Sequence, residues 1–160
     1  MPRLILALGL ALTLAACGAK TAGADDLAAG QAYLAANAKA PGVVTLASGL
    51  QYKVVHSGPT TGQTPSAEDE VRVNYEGKLL SGKVFDSSFA RGVPAEFQVG
   101  GLIPAWVQAL QMMKPGDEWI LYVPASLAYG EQGAGADIPP NATLVFRIQL
   151  LGVLNHGAMG

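Results

Sequence analysis

Along the chain the spacing of apolar positions changes repeatedly, and each change marks an element. Leu4 to Ala15 contains nothing polar but Thr13. A run of that length is shorter than the roughly 20 residues a membrane-spanning helix needs. It has the size of a secretory-signal hydrophobic region. Lys20 to Ala24 is small and polar and reads as a tether. Asp25 to Ala40 is rich in Ala, with Leu27, Tyr33 and Leu34 on a weak helical period. Asp25 or Asp26 suits the cap of this helix and Pro41-Gly42 its stop. Gly30 inside it costs about 1 kcal/mol against Ala.

From Val43 the period becomes two. Leu50 to Val55 mostly alternates, and Ser57 to Pro65 is loop. Val71, Val73 and Tyr75 alternate with Arg72, Asn74 and Glu76, the mark of a half-buried antiparallel strand. Ser81-Gly82 suits a hairpin turn, and Phe97 and Val99 end a short strand before Gly100-Gly101. Pro104 opens a helix in which Trp106, Leu110 and Met113 recur at helical spacing, with Val107 alongside. Pro115-Gly116 closes that helix. Trp119, Leu121 and Val123 then alternate with Ile120 and Tyr122. Tyr129 to Pro140 is a loop rich in Gly and Pro, and Leu144, Phe146, Ile148 and Leu150 form the last strand. This order predicts an α+β domain: an antiparallel β-sheet wrapped around one short central α-helix, preceded by a short N-terminal helix.

Composition narrows the classes. The 160 residues fit one domain, half of them are apolar and 14% are charged. That balance excludes intrinsic disorder. Ten basic and twelve acidic residues leave a net charge of -2, without the basic excess that nucleic acid demands. One Cys and two His cannot assemble a disulfide framework or a Cys/His zinc site. The lone Cys ends the apolar leader, and Leu14-Ala15-Ala16-Cys17-Gly18 resembles the lipobox of bacterial lipoproteins. That resemblance implies a signal peptide over residues 1–16 and a lipidated Cys17. Several acyl chains anchor stably where one is marginal. With Gly18 and Ala19 and no Asp after the Cys, the lipoprotein resemblance implies the outer membrane of a bacterial envelope, on its periplasmic or surface face.

The usual catalytic machinery is missing. A Ser or Cys nucleophile needs a neighbouring base, yet His56 beside Ser57-Gly58-Pro59 and His156 in the tail read as surface residues. Gly130 to Gly135 has the wrong glycine order for a dinucleotide fingerprint, and no P-loop Lys exists. Glu68, Asp69 and Glu70 read as a solvated edge. An aromatic set remains: Tyr75, Phe85, Phe97, Trp106, Tyr129 and Phe146, which with Ile103 and Ile138 suits an apolar pocket. Rings at strand and helix periods are ordinarily core, and Asp86 before two Ser is a turn signature.

The stretches VRVNYEGKLLSGKVFDSS at 71–88, LIPAW at 102–106, LQMMKPGDEWILYVPASLAYG at 110–130 and IPPNATLVFRIQLL at 138–151 are specific. In this order they resemble the FKBP-type peptidyl-prolyl cis-trans isomerases over roughly residues 50–152. Residues 32–55 further resemble the envelope branch of that family, the macrophage-infectivity-potentiator-like proteins. The resemblance implies acceleration of X–Pro rotation during the folding of envelope proteins, without covalent chemistry, metal or cofactor. Trp106 is the expected floor under the prolyl ring, with Tyr75, Phe85, Phe97, Leu102, Ile103, Ile138 and Phe146 around it. The Tyr129 hydroxyl and the Ile103 amide are expected to hold substrate carbonyls. Asp86, oriented by Arg91 and Tyr75, is directed at the twisting amide. Asp86, Tyr129 and Tyr75 are the expected catalytic groups.

Implied partners are proline-containing polypeptides, macrolide inhibitors and, through the lipid, a membrane. About 16 residues before Pro41 are too few for the helical module through which the envelope branch dimerises, so a monomer is expected. The expected organisation is signal peptide 1–16, tether and helix 17–42, isomerase domain 43–154 and tail 155–160. Ala95 replaces an aromatic wall of the small cytosolic members, the loop before Leu102 is shorter, and Ala134 and Asp137 replace a His and an Ile. The alternative is a non-catalytic chaperone or binding module for proline-containing segments. A structural envelope lipoprotein would show the pocket filled.

Overall fold

The computed structural model describes residues 22–154. Cys17, the leader, the start of the tether and the tail from 155 lie outside the described residues. Helix α1 spans Ala22–Asn37. It is already formed at Ala22, so Asp25 and Asp26 lie within it instead of capping it. The strands are β1 Val43–Thr45, β2 Gln51–His56, β3 Glu70–Leu79, β4 Val84–Ser87, β5 Ala95–Gln98, β6 Glu118–Val123 and β7 Leu144–Leu154. Two further helices are α2 Ser88–Arg91 and α3 Pro104–Leu110. The sheet runs β1-β2-β6-β7-β3-β4, with β5 on β3, and every pairing is antiparallel. Among the described residues no helix is long and apolar enough to cross a membrane.

The period-two rows fall on one buried face. Val71, Val73 and Tyr75 of β3 meet Leu121 and Val123 of β6 and Phe146, Ile148 and Leu150 of β7 in one core. Arg72 points outward to pair with Glu96 at 2.5 Å. α3 lays Ala105, Trp106, Ala109 and Leu110 against that core. Burying such side chains stabilises by about 1.5–3 kcal/mol each. The turn between β3 and β4 follows the expectation: Leu79 and Lys83 close it around Ser81-Gly82, with Gly82 at φ +89°.

α3 is shorter than its apolar spacing suggests. It ends at Leu110, and Met112 and Met113 then donate to Ala109 and Leu110, three residues back. The tighter 3₁₀ pitch keeps Met113 fully buried. It also frees Lys114, whose position before Pro115 disfavours helix.

α1 is seated on the domain. Buried Gln51 donates to the Leu34 carbonyl and accepts from Asn37, both at 2.8 Å. Gly30, the residue that weakens the helix, is where α1 presses on Thr143; a Cβ there would collide with the Thr143 hydroxyl. The local cost of Gly is offset by close packing.

Candidate active site

The segment Phe85-Asp86-Ser87-Ser88 builds one wall. Ser87 is the N-cap of α2, accepting from the Ala90 amide, and Gly92 ends that one-turn helix in the left-handed region at φ +71°. Ser88 is fully buried, and its hydroxyl accepts from the Tyr75 amide at 2.8 Å. The capped turn carries Arg91 back over the strand. There its guanidinium donates to one oxygen of Asp86, and the Tyr75 hydroxyl donates to the other. Arg91 also donates to the Tyr75 oxygen at 3.2 Å. The carboxylate is thereby held by charge-assisted bonds on both oxygens.

These bonds decide how the groups titrate. Burial alone raises the Asp86 carboxyl, but the hydrogen bonds from Tyr75 and Arg91 and the guanidinium charge outweigh it and hold it below its usual range. Burial, then the hydrogen bond to Asp86, pushes the Tyr75 phenol above its usual value. At neutral pH the pair is thus an ionised carboxylate and a protonated phenol.

A hollow of about 190 Å³ lies beside this pair, lined by Tyr75, Phe85, Asp86, Phe97, Leu102, Ile103, Trp106, Tyr129 and Phe146. Trp106 is only 4% exposed, and three rings surround it: Tyr75 at 5.3 Å and 84°, Phe97 at 6.0 Å and 87°, Phe146 at 5.4 Å and 88°. Such edge-to-face contacts are favoured by the ring quadrupole. They hold the rings while leaving space between them. The same residues are therefore both core and pocket.

Two donors wait at this hollow. Tyr129 is 39% exposed, and its hydroxyl bonds to no other described residue. The Ile103 amide precedes the first turn of α3 and donates to no described residue, while its carbonyl accepts from Trp106 and Val107. A carbonyl entering the hollow would find both free.

Two expected residues stand elsewhere. Ile138 is not among the residues lining the hollow: its amide donates to the Ala134 carbonyl at 3.1 Å and its carbonyl accepts from the Ala134 amide at 2.9 Å, closing the loop, and its side chain joins the core cluster. Arg91 stands behind the wall and acts through Asp86 and Tyr75. The positioning parts of Ser87 and Ser88 were not read from the sequence, where two Ser after an Asp signal only a turn. Among the described residues no group of three or more His, Cys, Asp or Glu gathers to hold a metal.

Residues 61–151 match the family described as FKBP-type peptidyl-prolyl cis-trans isomerase. Residues 13–54 match the domain amino-terminal to it in that family. The FKBP-type 22 kDa peptidyl-prolyl cis-trans isomerase of Escherichia coli is 54% identical over 79% of this chain and 61% of its own length. The outer membrane protein MIP of Legionella longbeachae is 49% identical over 81% of this chain and 54% of its own. This chain thus spans little more than half the length of those relatives. The crystal structure of a peptidyl-prolyl cis-trans isomerase from Pseudomonas syringae superposes with a TM-score of 0.77 at 37% identity, covering 86% of this chain and all of that one. With the antiparallel sheet around α3 and the ring-lined hollow beside Asp86, the chain belongs to the FKBP-type peptidyl-prolyl cis-trans isomerase family.

Proposed function

We propose that the protein is a peptidyl-prolyl cis-trans isomerase that accelerates X–Pro rotation in proline-containing polypeptides of the bacterial envelope. The observation that carries this reading is the open hollow over Trp106 with an ionised carboxylate, bonded on both oxygens, on one side and, on another, donors that bond to no described residue.

Amide resonance sets a rotation barrier of about 18–20 kcal/mol, and the uncatalysed step takes tens to hundreds of seconds. Reaching roughly 10²–10³ per second requires the removal of about 5–7 kcal/mol at 1.36 kcal/mol per tenfold. No bond breaks, so the work is positioning and electrostatics. The prolyl ring enters the hollow and rests on Trp106, excluding water. At the transition state the twisted amide has lost conjugation and is less dipolar than the planar form. An apolar cavity therefore disfavours the ground state more than the twisted state. Tyr129 and the Ile103 amide hold the carbonyls on either side so that only one bond turns. Asp86 is a fixed charge beside that bond, and pre-set charge costs no reorganisation when the amide twists. The same apolar hollow suits a macrolide inhibitor.

The test is refolding limited by proline isomerisation, followed with and without the purified full chain. Acceleration by catalytic amounts is expected; equal rates would refute the reading. A protein that only suppresses aggregation of its client would be the binding module instead.

We further read residues 43–154 as the isomerase domain, Cys17 as a lipidated anchor after a signal peptide over 1–16, and 17–42 as tether and helix. The name of the Legionella relative as an outer membrane protein supports an outer-membrane site, and the seating of α1 on its own domain supports a monomer. Mass spectrometry of the mature N-terminus is expected to find an acylated Cys17. An unmodified Cys17, or a cut elsewhere, would remove the anchor.

A further inference from the structure

The inward row of β3 reads Val71, Val73, Tyr75, Gly77, and all four are buried. The last place has no side chain just where the hollow begins. Glycine inside a strand weakens it, and its presence commonly marks a close approach. Gly77 lacks the positive φ found at other glycines of the chain, so its backbone does not demand glycine. Its neighbours across the sheet are Asp86 on β4 and Phe146 on β7. A Cβ at Gly77 would stand 2.5 Å from Cζ of Phe85, 2.8 Å from its Cε2 and 2.7 Å from Cε1 of Phe146. Carbon atoms rest comfortably at about 3.5–4.0 Å. The ring edges of Phe85 and Phe146 therefore sit in the slot that the missing side chain leaves. The two rings meet edge to face at 5.7 Å and 89°, and both line the hollow.

We propose that Gly77 is a positioning residue of the site: its empty slot seats the Phe85 and Phe146 rings against the strand and thereby keeps the hollow open to a prolyl ring. The proposal rests on the hollow being the proline site. A methyl group at 77 has no free direction on that face. The strand is paired on both edges, so the rings must yield, and the space left to them is the hollow.

The experiment uses the full chain with a proline-containing tetrapeptide and reads two quantities by nuclear magnetic resonance: affinity from shift titration, and cis/trans exchange rate. Gly77→Ala is expected to weaken affinity about tenfold or more, as overpacking of a tight contact does. In a Phe85→Leu background, where a smaller side chain relieves the Phe85 contact and leaves that with Phe146, the same change is expected to cost less, about threefold. Unchanged affinity in Gly77→Ala overturns the proposal, and so does an equal loss in both backgrounds. If Gly77→Ala does not fold, recovery of fold and peptide binding in the Phe85→Leu background supports the proposal, and continued unfolding overturns it. A wild-type chain that binds the peptide without speeding exchange refutes the isomerase reading alone, and affinity still decides the part of Gly77.

Discussion

The two tryptophans are nearly equal in burial and opposite in use. Trp106 is 4% exposed and Trp119 6%, and both indole N–H groups are buried without a partner among the described residues. Around Trp106 the neighbouring rings stand edge-on, and a hollow remains. Beside Trp119 the Tyr52 ring lies nearly flat, 4.3 Å away at 11°. Parallel stacking fills the space that perpendicular packing leaves. Burial alone thus says nothing about function; the angle of the neighbours does.

Replacing each indole by Ala separates the two uses. Both changes should cost about 3–5 kcal/mol in urea unfolding, the range for large aromatic truncations. Trp106→Ala should also abolish isomerisation per folded molecule, with a loss of about a hundredfold or more if the floor contributes some 3 kcal/mol to the transition state. Trp119→Ala should leave the rate per folded molecule near wild type. Equal activity losses in the two variants would break the distinction.

Each tryptophan has a carboxylate–arginine pair nearby, and these differ in the same way. Glu118 next to Trp119 accepts from Arg147 at 2.5 Å and from Gln149 at 2.8 Å on the sheet surface. Asp86 accepts from Arg91 and from Tyr75, a residue that itself lines the hollow. Exposed ion pairs contribute roughly 0–1 kcal/mol, so Asp86→Asn, at a side chain 40% exposed, should move stability by less than about 1 kcal/mol, and Glu118→Gln, at one 15% exposed, by about 1–3 kcal/mol. Asp86→Asn alone should slow isomerisation, by about tenfold for the loss of one pre-set charge. A stability loss in Asp86→Asn as large as its activity loss would recast Asp86 as a structural residue.

The difference between these regions also marks what a sequence can disclose. The alternation in β3 was readable because one face meets water and the other the core, so polarity records the pleat. Phe85, Asp86, Trp106 and Tyr129 were readable from the FDSS, LIPAW and LAYG segments, and Phe146 from IPPNATLVF. Ile138 joins the core cluster and is not among the residues lining the hollow, and its backbone bridge to Ala134 has no signal in either side chain. The end of α3 was misplaced because apolar spacing continues to Met113 while the backbone tightens three residues earlier. Ser88 was invisible as a support because its partner is the backbone amide of Tyr75, remote in sequence and silent in composition.

The smallest expected effect concerns pH. Both carboxyls are held below their ordinary values, Asp86 by bonds from Tyr75 and Arg91 that outweigh burial, Glu118 chiefly by Arg147. A depressed folded-state value stabilises above the unfolded value, and that contribution disappears as pH falls through the folded one. Neither pair should therefore change stability between about pH 5 and 9, with loss beginning below about pH 4, where free carboxyls titrate. The Tyr75 phenol is raised, so its contribution is complete below its unfolded value near 10 and is lost only in stronger alkali. With Asp86 charged and Tyr75 protonated throughout, kcat/KM plotted against pH should be flat over the neutral range. A midpoint between pH 6 and 8 would mean that a group other than Asp86 and Tyr75 titrates there and controls the rate. Because Asp86 and Glu118 titrate alike while only Asp86 faces the hollow, the acid limb is the sharper measurement. In Asp86→Asn the fall of activity below pH 4 should vanish once unfolding is subtracted, whereas in Glu118→Gln it should persist.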